Sequence, residues 1–327
     1  MTKFIGRLFN VGIGKETTRG TPKATSYWLT TTDISIDEKI NQVKYDNTYG
    51  VIENMIDADV TKKFAEGTID GVIDDSSIGL VLNATFGTVA TTGPTDSAYT
   101  HTFSVGQNAQ HQSLTINVSE PNASGSSSKQ FPLAMVDSLE MNFEVGAYPT
   151  YSMAFVANVT TATTTTVAYT APYNFKPQQG VVRIADTYSN LDTGTTYTVR
   201  KVSLNTSKNL EDDDNIGSTS ATDRLNKQFA VTGSMELVYT DREFIDTFML
   251  ANLTRAMQIK FTNTDRTIGT STNPSITIKL AKVKFQEVAK NISKDDITMQ
   301  TVNFEGYYST SDSKMIDVAL VNSVVSY

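Results

Sequence analysis

The sequence predicts a mainly β chain that carries two copies of one domain, each a set of antiparallel strands with one short α-helix. Three observations predict it. One block occurs twice, as KKFAEGTIDGVIDDSSIGLVLNATFG from Lys62 to Gly87 and as KQFAVTGSMELVYTDREFIDTFMLAN from Lys227 to Asn252. Four flanking stretches match in the same order around it. Short runs throughout alternate apolar and polar residues, which is the period of a half-buried strand.

Within the block, Phe64-Ala65 matches Phe229-Ala230, and from Gly67 the correspondence is Gly67 with Gly233, Ile69 with Met235, Ile73 with Tyr239 and Asp75 with Asp241. A strand comes first, from the alternation of Ile69 and Ile73 in one copy and Met235, Leu237 and Tyr239 in the other. A helix follows. Asp74 or Asp75 can cap the first one. Thr240 with Glu243 forms a capping box for the second, each side chain meeting a free backbone N–H. Apolar residues then recur at helical spacing, as Ile78, Leu82, Phe86 and as Phe244, Phe248, Ala251. Gly87 and Asn252 tolerate the left-handed conformation that ends a helix.

The flanking matches are Thr31–Ile40 with Arg200–Leu210 (Ile34 and Ile36 against Val202 and Leu204), Ser113–Val118 with Ala256–Phe261, Val136–Gly146 with Leu280–Lys290, and Tyr151–Asn158 with Met299–Gly306. Five matches in one order point to duplication, with a longer loop, Thr88–Gln112, in the first copy.

At 327 residues the chain suits two domains of ordinary size, and 39% hydrophobic with 19% charged residues reads as globular. A net charge of −8 argues against a protein that holds nucleic acid by neutralising phosphates, though not against a surface past which nucleic acid moves. Without cysteine there is no disulfide framework and no thiolate metal site. No apolar run is long enough to span a membrane, and the N-terminus lacks a secretory pattern, so synthesis in a cytoplasm is expected.

In chain order, residues 1–30 show no period. Gly12, Gly14, Gly20 and Pro22 point to an irregular arm tied down by a neighbour. Its GIGKE is no phosphate loop, because Phe9 stands where the first glycine is needed and Glu16 where the hydroxyl is needed. Asp57 and Asp59 lack the further ligands of a calcium loop. His101 and His111 read as surface residues of the long loop. Pro121–Lys129 reads as a flexible hairpin tip, Asn158–Pro172 as an extended linker or an edge strand, and Glu211–Asn215 as a solvated acidic turn. Four strands close the chain as a meander: Ile276–Leu280 with Val283–Val288, Ile297–Tyr308 and Ile316–Tyr327.

No nucleophile elbow, dinucleotide turn or zinc helix is present. A carboxylate pair of the glycosidase kind is defined by separation in space, so the sequence leaves it open. No enzyme is expected, and no catalytic, cofactor-binding or metal residues are assigned.

The opening GIGKETTRGTP resembles the start of siphophage-type tail tube proteins. So does the order of strand, GTIDG strand, short helix, long loop and meander. The C-terminal half, with its RAMQIKF, ITIKLAKVKF and DDITMQTVNFEG strands and the closing IDVALVNSVVSY, is similar to the same family. The resemblance implies two tail-tube-type β-sandwich domains, each with a flanking helix, whose inner strands form an intersubunit β-barrel. The expected division is an N-terminal arm (1–30), a first tube-like domain (31–158), a Thr-rich linker (159–175) and a second tube-like domain (176–327). The inner strands are expected to be 31–40 with 62–73 and 200–210 with 227–239. The implied function is a major tail tube subunit of the virion, assembled in the host cytoplasm. It would form rings of three chains with pseudo-sixfold symmetry, or alternatively of six. Stacked rings would make a channel for genome delivery with an acidic lumen. The implied partners are the chain itself, the tape measure, terminator and distal tail proteins, and double-stranded DNA passing without specific binding. No membrane is involved. The competing readings are a baseplate or capsid-decorating β-sandwich and a carbohydrate-active enzyme.

Overall fold

A computed structural model describes residues 3–122, 125–159, 161–171 and 173–327. The first half contains β1 (Asn10–Lys15), β2 (Tyr27–Trp28), β3 (Thr31–Tyr45), β4 (Asp57–Val72), α1 (Ile78–Phe86), β5 (Gly87–Thr95), β6 (Ala98–Val105), β7 (Leu114–Asn122), β8 (Gly125–Glu144), β9 (Thr150–Ala157) and β10 (Thr161–Thr163). The second contains β11 (Gly180–Ala185), β12 (Thr195–Tyr197), β13 (Val199–Ser207), β14 (Leu210–Asp213), β15 (Asp223–Asn226), β16 (Ala230–Val238), a π-helix (Phe244–Leu250), β17 (Arg255–Thr262), β18 (Ser275–Asn291), β19 (Met299–Gly306) and β20 (Ile316–Asn322). The protein is mainly β, and its strand pairs are antiparallel.

The two halves pair their strands in the same order. In the first it is β3–β4–β9–β8–β7–β1–β2. In the second it is β13–β16–β19–β18–β17–β11–β12. The registers coincide as well. Ile36 lies opposite Gly67 and Leu204 opposite Gly233. Bulges follow Thr31 in one half and Val199 in the other. The β4–β9 ladder runs from Ala65↔Ala157 to Val72↔Thr150, and the β16–β19 ladder from Val231↔Gly306 to Val238↔Met299.

These registers keep the block as aligned from Gly67 onward, and they keep Ile34 and Ile36 against Val202 and Leu204. They shift Phe64-Ala65, which corresponds to Ala230-Val231 rather than to Phe229-Ala230, and three other matches. Met299 corresponds to Thr150 rather than Tyr151, a one-residue slip that would turn every side chain to the other face. Ala256 corresponds to Thr115, beside the bulges that follow Leu114 and Arg255. Val136 corresponds to Phe285, because β8 bulges at Asp137 where β18 bulges at Gln286. Alternating runs resemble one another under small shifts, so hydrophobic pattern alone could not fix these three.

Several local expectations are corrected. Residues 1–30 are not an irregular arm throughout. β1 is a strand of the first half with Val11 and Ile13 fully buried. Its glycines do not break it but let Thr25 and Ala24 pass close by. Thr88–Gln112 is mostly the β5–β6 hairpin, and His101 and His111 are buried rather than on the surface. Glu211–Asn215 is not merely a solvated turn, since β14 pairs with β15 and Asp212 lies 2.7 Å from Lys62 and 2.8 Å from Arg224. In the Thr-rich stretch β10 pairs with β8, which favours the edge-strand alternative there. β7 and β8 pair up to Asn122↔Gly125, and residues 123–124 of the expected hairpin tip lie outside the described residues.

α1 begins where Asp74 accepts the backbone N–H groups of Ser76 and Ser77, both at 2.6 Å, and it ends at Gly87 with φ 87°. The capping box at Thr240 and Glu243 does not form. Asp241 accepts the Glu243 N–H at 2.9 Å, Glu243 accepts the Tyr197 hydroxyl at 3.1 Å, and the turn that follows is a π-helix.

One core runs through both halves. Val11, Ile69, Ile116, Met153, Val202, Met235, Ile259 and Val302 all belong to it. The halves are joined twice by strand pairing, β13 to β8 and β6 to β20. Side chains clasp the joints. Asp96 on the β5–β6 turn accepts backbone N–H groups of Thr270, Ser271 and Thr272, and these bonds hold its carboxyl below the usual range. The Tyr327 hydroxyl reaches into the first half and donates to the Ser76 carbonyl.

Candidate functional site

The pairing β3–β4–β9–β8–β13–β16–β19–β18 crosses from one half to the other without a break, giving one eight-stranded sheet. Directly opposed residues of antiparallel strands share a face. One face carries Ile34, Ile69, Met153, Leu139, Thr206, Val231 and Val302, and it covers the core. The other is polar. Its rows include Ser35, Thr68, Ala154, Ser138 and Ser207, and Asp70, Ser152, Glu140, Asn205, Thr232 and Glu305. The expected inner strands lie in this sheet as β3 with β4 and β13 with β16. The sheet also includes β8, β9, β18 and β19, which sequence reasoning did not place there.

The polar face is acidic. Asp33, Asp37, Glu66, Asp70, Glu140, Glu144, Glu236, Glu287 and Glu305 share it with Lys39, Lys62, Lys201 and Lys284. Three of these lysines are neutralised: Lys39 pairs with Glu66, Lys201 with Glu144 at 3.3 Å, and Lys62 with Asp212 at 2.7 Å and Asp214 at 2.6 Å. Serine, threonine and asparagine fill most of the rest, so the surface is hydrated and offers little to grip an anion.

The sheet has open edges. Among the described residues β3 pairs with β4 only. β18 pairs with β19 along Val283–Asn291 on one side, while on the other side its pairing to β17 ends at Val283. Unpaired strand edges of this length are templates for another chain.

The other candidates raised by the sequence are framework or surface residues among the described residues. The His101 ring meets the Asn322 side chain and the Val324 carbonyl, and the His111 ring meets the Thr85 and Gly106 carbonyls. Burial lowers the pKa of both, so they are neutral framework residues. Lys15 of GIGKE donates to the Tyr327 carbonyl at 2.6 Å. Asp57 and Asp59 lie on an exposed part of β4, and among the described residues no group of three or more His, Asp or Glu is placed to hold a metal ion. No helix among the described residues is long and apolar enough to cross a membrane.

A family model described as phage tail tube protein matches residues 6–306. No curated protein matches the chain.

Proposed function

The chain belongs to the phage tail tube protein family, a structural family of the virion tail, and from that premise we propose that it is the repeating subunit of the tube itself. Three chains form a ring of pseudo-sixfold symmetry, and rings stack into the channel through which the genome leaves. The observation that carries this reading is the repeated pairing order with its repeated registers and bulges, which supports two copies of one tube domain per chain.

In the ring, the eight-stranded sheets join edge to edge into one barrel, and the polar face lines the lumen. Closure removes the exposed edges. Ring stacking is heterologous, so it continues as a filament. The carboxylates of the lumen repel DNA phosphates and let the duplex slide. Assembly takes place in the host cytoplasm, and the tape measure, terminator and distal tail proteins are the expected companions.

Negative-stain electron microscopy of the concentrated protein tests this. Hollow tubes whose end-on averages hold three chains per ring are expected. Rings of six whole chains would keep the tube and overturn the trimer. A closed oligomer without a lumen would overturn both.

A further inference from the structure

The joint between the two halves is a template for the joint between chains. Inside the chain, β13 lies on the outer edge of β8 from Lys201↔Glu144 to Ser207↔Ser138. The shared registers make β3 the counterpart of β13, with Ser35 for Ser203, and β18 the counterpart of β8, with Val288 for Leu139. Among the described residues the first half therefore has an edge with no strand on it, and the second half has the edge that should pair with it. Building on the ring proposed above, we propose that Asp33–Lys39 of one chain pairs antiparallel with Glu287–Ser293 of the next, in the register Ser35↔Asn291 and Lys39↔Glu287.

A second observation points the same way. Phe143, at the end of β8, enters a cleft of the second half and stacks on Phe261 with ring centroids 4.8 Å apart. The cleft that remains there, beside Tyr197, Val202 and Ile259, measures about 230 Å³. Its counterpart in the first half, beside Leu29, Ile34 and Val118, measures about 870 Å³. The residue equivalent to Phe143 is Ile292, which is 74% exposed in the single chain. Ile292 of one chain fills the first-half cleft of its neighbour. Lys39 and Glu287, directly opposite, supply an ion pair across the new joint, as Lys201 and Glu144 do across the internal one.

The absence of native cysteine allows a direct test by disulfide trapping. Tubes of Ser35→Cys/Asn291→Cys are oxidised and run on a non-reducing gel, beside the out-of-register control Ser35→Cys/Ala289→Cys. The in-register pair is expected to give linked dimers and trimers while the control stays largely monomeric, because a disulfide needs Cα atoms within about 7 Å. Tubes that form without this preference would overturn the pairing and leave the tube reading intact. If the unmodified chain forms neither rings nor tubes by microscopy, the tube reading falls and the pairing with it. Ile292→Asp is expected to keep the melting temperature of the dilute chain and abolish rings, and undiminished rings would overturn the assignment of Ile292.

Discussion

Gly67 and Gly233 occupy one and the same place in the two halves: a side chain at either would run into the carbonyl oxygen of the strand beside it, Ser35 at the first and Ser203 at the second. Each glycine sits mid-strand, opposite the apolar residue that anchors its neighbour, Ile36 or Leu204. No positive φ is involved at either position. The need is for close approach of two backbones, and at Gly233 for room for the Phe304 ring as well.

Gly67→Ala and Gly233→Ala are therefore expected to destabilise the chain to similar extents. Relief of such a clash requires backbone movement, which costs about 1–3 kcal/mol. Urea denaturation of the two variants checks this. If one were neutral and the other severe, the equivalence of the positions would fail.

Tyr327 fastens the C-terminal segment to the first half. It is 8% exposed, its ring lies 4.7 Å from that of His101, and it leaves no room for a side chain at Gly79. Removing a buried aromatic of this kind costs about 3 kcal/mol. Tyr327→Ala is expected to lower the thermal midpoint and to speed amide exchange in α1 first, as read by hydrogen–deuterium exchange.

Lys208 gives the stability a pH dependence. It is buried, donates to the Ala84 carbonyl at 2.7 Å, and burial pushes its pKa from 10.5 down to about 7. Between those values the unfolded chain binds more protons than the folded one. Stability from this group therefore rises as pH climbs from about 7 towards 10 and is lost on the acid side. Lys208→Met is expected to flatten that slope and to stabilise the chain at neutral pH by roughly 2 kcal/mol, within the range that follows from a buried charge. Denaturation midpoints at the two ends of the window measure it.

The acidic face is open to charge reversal. Ser152→Lys and Glu236→Lys add cations there, on β9 and β16, the strands that flank β8 and β13. Tubes of the double variant are expected to assemble normally. Genome release is expected to slow at low salt and to recover as salt screens the new contacts. Release timed on single virions distinguishes this from unchanged passage.

Much of this organisation was legible in the sequence, for identifiable reasons. The block with Gly67 and Gly233 was legible because glycine is a fixed mark that an alternating run lacks. α1 was legible from its apolar spacing and its terminal Gly87. β1 was missed because Gly12 and Gly14, which permit close packing, read the same as glycines that break structure. His101 and His111 were misplaced because their partners, Asn322, Val324, Thr85 and Gly106, are remote in the chain or are backbone atoms. Asp212 was misread for the same reason: Lys62 and Arg224 are brought to it only by the fold. The open edges are a property of pairing and have no signature in composition.

The β13–β8 joint also bears on how fast a ring can close. In the three-chain ring proposed above, with both halves on one chain, every second joint around the pseudo-sixfold circle is already made when the chain folds. Closure then takes three encounters between separate molecules instead of six, and each internal joint forms at the high effective concentration that a covalent tether confers. Ring formation by such a chain depends less steeply on subunit concentration than it would for separate single-domain subunits. An early, sparse pool of protein can thus begin a tube.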